Sequence, residues 1–222
     1  MRLSGNRIIR GRICFIFLLI AAVFRHDCRA EHPYTTNKKI TEHAALIDHA
    51  AGLFRVNPAF LSAVIYVERT LNYDWRDQVY DIYLFERLSL NSSIGFCQIK
   101  IKTAYYIEYQ FQHADGPYFP GRDFSSLIAL SRSKNELLQK ITDDSLNICY
   151  AAAYLRMMQT RWASAKFPID DRPDILGTLY STGLYRDDSS ERAPNNNPKS
   201  NAFGTKVADA VPLFLPLYKL GK

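Results

Sequence analysis

Apolar residues recur at helical spacing along most of the chain. Ile40, Ala44, Ile47, Ala51 and Phe54 share one face of a helix predicted over 40–55. Asn57 followed by Pro58 reads as an N-cap and first helical position, since proline lacks the N–H that has no partner there. A second helix is therefore expected from Pro58 to about Leu71, with Leu61, Val64 and Ile65 on its apolar face. Residues 101–112, 143–162 and 173–185 carry further helical patterns. In 143–162, Asp144 or Ser145 is the expected cap, and Leu146, Cys149, Ala153, Met157 and Trp162 run down one side. A last helical piece starts near Phe203 and meets Pro212 and Pro216.

Two stretches break this pattern. Residues 72–100 are aromatic and charged, contain "LNSSIGF", and lack a clean period. From Arg186 to Asn201 the chain is polar with no apolar face, a length of loop that is usually functional or mobile. The pattern as a whole predicts one mainly α domain with a small β or irregular insertion near residues 72–100.

The first thirty residues stand apart from that domain. Arg2, Arg7, Arg10 and Arg12 precede the apolar run "ICFIFLLIAAVF", which is followed by "RHDCRA". A basic segment, a short apolar core and a small residue at Ala30 form the pattern of an export signal cleaved after residue 30. The apolar run is too short for a transmembrane helix, and Cys28 lacks the small apolar residues that precede a lipidated cysteine. The expected organisation is a signal peptide over 1–30 and one domain over 31–222, exported to a bacterial periplasm or cell envelope.

Setting the leader aside changes the charge argument. The whole chain is formally +6, with 28 basic and 22 acidic residues. Six of those arginines and one aspartate lie in the leader, which leaves 22 basic against 21 acidic residues. A nucleic-acid partner argued from overall basicity is therefore not supported. Two cysteines remain outside the leader, Cys97 and Cys149, and an even pair in an exported protein suggests one disulfide.

Several chemistries lack their residues. The remaining histidines, His32, His43, His49 and His113, show no HExxH spacing, and no CxxC pair exists, so no metal site is expected. Glycine-rich phosphate loops and the GxSxG turn are absent, and no cofactor is expected. Neither cysteine has a histidine partner that the sequence identifies.

Carboxylates remain, and Glu68 is the unusual one. It continues the stripe of Leu61, Val64 and Ile65, where an apolar residue is expected. It also falls in the last turn of its helix, where the macrodipole opposes negative charge. Desolvation and dipole both favour the neutral acid, the form that a general acid must hold near neutral pH. The competing reading is a solvated glutamate at a frayed helix end, paired with Arg69.

Four segments in order strengthen the catalytic reading. "VIYVERT" is followed by "SSIGFCQIKIKTA", a Ser–x–Gly–x–x–Gln segment ahead of a helix, then by "LNICYAAAYL" and "LYSTG". This order resembles the soluble lytic transglycosylases and goose-type lysozymes, over roughly residues 44–210. The resemblance implies a lysozyme-like helical domain acting on peptidoglycan glycan strands, with Glu68 as the general acid and base. It implies that Ser93, Gly95, Phe96 and Gln98 form part of the sugar cleft, and that Tyr180 lies close to the glutamate. Asn147 matches the asparagine that opens the later helix. Two departures are visible. The Tyr–Asn–x–Gly turn of the family reads Tyr180–Ser181–Thr182–Gly183 here, and the gap from Glu68 to Ser93 is longer than in the compact motif.

In lytic transglycosylases one glutamate protonates the glycosidic oxygen while the sugar's N-acetyl group helps stabilise the cationic centre. The same carboxylate then takes the proton of the 6-hydroxyl, and a 1,6-anhydro ring closes. A hydrolytic lysozyme or a chitosanase-like enzyme would instead need a second carboxylate, about 6.5–9.5 Å across the cleft in an inverting enzyme. Asp74 and Asp77 are the candidates, with Asp81 and Glu86 further along the same insertion. Tyr73, Trp75, Tyr80, Tyr83 and Phe85 lie nearby in sequence, and such rings suit the apolar faces of sugars. Tyr150, Tyr154, Met157, Met158 and Trp162 read as helix packing. A non-catalytic glycan-binding or secretion-apparatus component on the same scaffold remains open, and the expected form is a monomer. The loop over 186–201 could close one end of the cleft.

Overall fold

A computed structural model describes residues 30–71 and 93–219. Residues 1–29 of the expected export signal, Asp74, Asp77, Asp81, Glu86 and the aromatic residues 73–85 named above lie outside the described residues. Among the described residues the fold is mainly helical, with eight α-helices, one 3-10 turn and a two-stranded sheet. None of these helices is long and apolar enough to cross a membrane.

The predicted helix over 40–55 is two helices, α1 (Pro33–Glu42) and α2 (Ala44–Phe54). The break is at His43, whose ring Nδ1 donates to the Lys39 carbonyl at 2.8 Å and whose ring stacks on Phe96 at 4.3 Å. A side chain that bonds back onto its own helix competes with the backbone ladder, much as Ser and Asn do. Helix α3 (Pro58–Leu71) begins where the sequence predicts, and Asn57 Oδ1 accepts from Ala59 N at 2.9 Å. Leu61, Val64 and Ile65 are fully buried on it.

The insertion ends in a hairpin. Strand β1 (Ser93–Ile94) pairs antiparallel with β2 (Ile99–Lys100), with Ser93 opposite Lys100 and Ile94 opposite Ile99. Helix α4 (Ile101–Gln112) follows directly, as its pattern predicts. Helix α5 (Lys134–Thr142) was not anticipated. Its signal is nevertheless local. Ser133 Oγ accepts from Glu136 N at 3.2 Å, and Glu136 reaches back to Arg132 N at 2.9 Å, a variant of the S-x-x-E capping box.

Helix α6 (Asp144–Ser164) is the centre of the domain. From Asn147 to Trp162 it is buried on nearly every side, the pattern of an enclosed helix rather than of one with a single apolar face. Its cap is Asp143, not Asp144 or Ser145, with Oδ1 accepting from Leu146 N at 2.9 Å. Leu146 itself is 44 % exposed, so the predicted stripe does not begin there. Tyr150, Tyr154, Met157, Met158 and Trp162 are buried, as their assignment to packing predicts.

Helix α7 (Pro173–Thr182) is shorter than its predicted span and ends at Gly183, whose φ is +77°. Helix α8 (Ala202–Lys219) runs through Pro212 and Pro216. Asn201 caps it, with Oδ1 accepting from Gly204 N at 2.8 Å. Two interior prolines cost backbone hydrogen bonds, and packing against α3 and α7 offsets this. Phe214 and Val207 are fully buried, and the Tyr218 hydroxyl lies 2.6 Å from Ser62 Oγ on α3. At Gly204 an added Cβ would sit 2.0 Å from the Asp174 carbonyl, so glycine is what permits the close contact of α8 with α7.

Candidate functional site

The last turn of α3, the turn of the hairpin and one face of α7 meet at one place. Glu68 is half-buried at the end of α3. Its neighbour Arg69 is 3 % exposed and points into the protein. Arg69 Nε donates to Glu31 Oε2 at 2.7 Å, and Nη1 donates to the Phe96 carbonyl at 3.0 Å. The same guanidinium lies 4.8 Å over the Phe96 ring. Arg69 is thus paired with Glu31, a residue 38 positions away. Burial pushes the Glu31 carboxyl up, but hydrogen bonds from Arg69 and Lys39 more than reverse this and hold it below its ordinary value.

The hairpin turn is fixed from beneath by Asn147, which is fully buried. Asn147 Oδ1 accepts from Cys97 N at 2.7 Å, and Nδ2 donates to the Ile94 and Ile141 carbonyls at 3.0 and 2.8 Å. Gly95 has φ +78°, and a Cβ there would lie 2.4 Å from both Asn147 Nδ2 and the Ile141 carbonyl. Gly95 is thus required by both conformation and space. Gln98, at φ +54°, is an unusual left-handed residue that is not glycine. Its N–H and its side-chain Nε2 both donate to the Gly95 carbonyl, at 3.2 and 3.0 Å. A backbone held in that region persists where the surroundings over-determine it, which is common at functional sites.

Tyr180 joins this turn from α7. Its hydroxyl donates to the Cys97 carbonyl at 2.7 Å. Burial, and then the charges at Cys97 and Glu68, push that hydroxyl well above its ordinary value, so it stays protonated. The phenol lies close enough to Glu68 for the carboxylate to be felt. With its O–H donated to the Cys97 carbonyl, the phenol oxygen keeps lone pairs that can accept from a neighbouring donor.

The structure therefore sets Tyr180 within electrostatic reach of Glu68 and against the Gly95–Gln98 turn, while Ser93 is half-buried on β1. Two expectations need correction. Phe96 is 5 % exposed, its ring taken up by His43 and Arg69, and it offers no free face to a sugar. Cys97 and Cys149 are free thiols, and no disulfide joins them. Burial raises both thiols above their ordinary value, so neither is poised as a thiolate.

Ser181 Oγ donates to the Thr178 carbonyl at 3.1 Å and accepts from Asn201 Nδ2 at 3.1 Å. Asn201, twenty residues downstream, thus binds the residue that follows Tyr180. The 186–201 segment is held by Glu191. Arg161 binds it through two bonds of 2.8 and 3.0 Å, and the Tyr118 hydroxyl donates at 2.8 Å. The sequence reading missed the inward turn of Arg69 and its pairing with Glu31, for which no local signal exists. A scan against protein-family models and a search of curated proteins find no match to this chain.

Proposed function

We propose that this chain is a peptidoglycan lytic transglycosylase on a lysozyme-like helical scaffold. Glu68 would cleave the β-1,4 bond between N-acetylmuramic acid and N-acetylglucosamine. The observation that carries this reading is the convergence of three distant segments: the end of α3 with Glu68, the glycine-dependent turn Gly95–Gln98, and Tyr180. An acid beside a fixed turn and a neutral phenol matches what the four ordered segments imply.

The steps balance through one residue. Protonated Glu68 gives its proton to the glycosidic oxygen, and the C1–O bond breaks with the electron pair leaving on that oxygen. The muramic acid 6-hydroxyl attacks C1, and its proton passes to the Glu68 carboxylate, which ends as it began. The turn that Asn147 supports would hold the sugar, and Tyr180 would set the position of Cys97 and so of the turn. The polymer is met in the cell envelope, which fits the export signal of residues 1–30. The protein would act there as a monomer, in wall turnover or alongside a larger envelope assembly.

The test is digestion of purified peptidoglycan, with the ends read by mass spectrometry. Anhydro ends are expected, and Glu68→Gln should lower their formation by about 100-fold or more while the fold is kept. Reducing ends would replace this reading with hydrolysis by a second carboxylate, and absence of product with the wild-type chain would replace it with glycan binding.

A further inference from the structure

Ala30, the first described residue, is exposed and lies in no helix or strand, whereas Glu31 beside it is 7 % exposed. Both the backbone N–H and the carboxylate of Glu31 are bound. The N–H donates to the Arg69 carbonyl at 3.0 Å. The carboxylate accepts from Arg69 Nε at 2.7 Å, from Thr36 Oγ1 at 3.0 Å and from Lys39 Nζ. Thr36 is itself fully buried. Among the described residues, the tertiary contacts thus start at Glu31, the residue that cleavage after Ala30 would make the first of the mature chain.

Hydrolysis of the Ala30–Glu31 bond consumes one water, leaves a carboxylate on Ala30 and turns the Glu31 amide nitrogen into an ammonium. The Arg69 carbonyl belongs to the last turn of α3, where carbonyls lack partners within the helix and the macrodipole favours a cation. Ala30 is exposed, so its removal leaves the other ammonium hydrogens to water. Of the charges nearby, the Glu31 carboxylate attracts the ammonium. The Arg69 guanidinium is turned inward and neutralised by that carboxylate, and Lys39, a third exposed, is screened by solvent.

We infer that the N-terminus made by cleavage after Ala30 is a clamp on the candidate site. Its ammonium caps the end of α3 at the Arg69 carbonyl. Its carboxylate holds the guanidinium that binds the Phe96 carbonyl in the hairpin turn at 3.0 Å. Processing one residue later would remove all the bonds of Glu31 at once and leave Arg69 buried without its carboxylate. The clamp rests on the export-signal reading of residues 1–30 and stands whether or not the chain cleaves glycans.

The test expresses the full chain in a bacterial host that exports it and takes the intact mass of the product, which should begin at Glu31. Two variants are made in the same way and their first residues checked by mass. Gly-Ser inserted between Ala30 and Glu31 keeps an N–H at that place but moves the charge away. Its melting temperature should fall by about 1–3 °C, and the deficit should close in about 1 M salt, which screens a charge effect. Deletion of Glu31 should lower the melting temperature by about 6 °C or more, or prevent folding. The clamp is overturned if the exported chain keeps its leader or begins at any other residue. It also fails if the Gly-Ser chain melts with the native one, if its deficit persists in salt, or if the chain lacking Glu31 melts within about 2 °C of the native one. Absence of glycan cleavage alongside the expected melting shifts would remove the transglycosylase reading and leave the clamp in place.

Discussion

Asn147→Ala is the sharpest test of how the candidate site is built. The substitution removes an acceptor from Cys97 N and two donors from the Ile94 and Ile141 carbonyls, all of them buried. A buried group left without its partner costs about 1–3 kcal/mol. The N–H, with one bond to lose, belongs at the upper end, and the carbonyls, which keep a second lone pair, at the lower end. The expected loss is therefore about 3–5 kcal/mol, a large share of the roughly 5–15 kcal/mol that stabilises a typical domain. Urea unfolding followed by circular dichroism measures it, with an unchanged m value showing that the unfolding reaction is the same. Asn147→Leu fills the space without hydrogen bonds and separates lost bonding from a cavity. Asn147→Asp keeps the acceptor but turns a carboxylate toward two carbonyls, so it should be at least as damaging as alanine. A loss under about 1 kcal/mol for alanine, or an aspartate variant as stable as the wild type, would refute the idea that Asn147 holds the turn.

Gly95→Ala should cost about 2–3 kcal/mol, from the positive φ and the two 2.4 Å approaches. That is read as a fall in melting temperature of about 2–4 °C per kcal/mol in a domain of this size. Tyr180→Phe removes the bond to the Cys97 carbonyl and should lower stability by about 1 kcal/mol. Glycan cleavage should fall about ten-fold or more, beyond what that stability change explains; an unchanged rate would confine Tyr180 to packing. Glu31 sits below its ordinary carboxyl value, so its stabilising share is present at neutral pH and is lost as pH falls below about 4. Glu31→Gln should cost about 3–5 kcal/mol at pH 7, since it leaves Arg69 buried with a broken pair. The variant should also flatten the acid limb of the stability curve; a limb identical to wild type would show that Glu31 does not carry it.

Local chemistry made much of the architecture legible. The start of α3 at Asn57–Pro58, the helix over Ile101–Gln112 and the breakpoints around the hairpin follow from capping, periodicity and glycine placement within a few residues. Glu68 is legible for the same reason, as a charge on an apolar stripe. Where sequence and structure differ, the deciding partner is remote. Helix α1 ends at His43 because the ring finds Phe96, and α8 passes two prolines because α3 and α7 cover its apolar side.

What the chain determines by itself is which segments coil, where they stop, and that one acid lies among apolar neighbours. Each of these follows from interactions within about one helical turn. The tertiary structure alone decided that Arg69 turns inward, that Phe96 is packing rather than cleft, and that Asn147 and Tyr180 hold one turn between them. Those bonds join residues 27, 50 and 83 positions apart. Hydrophobic burial is non-directional, so spacing along the chain cannot specify them. They exist only once packing has brought the segments within the three or so ångströms over which a hydrogen bond has direction.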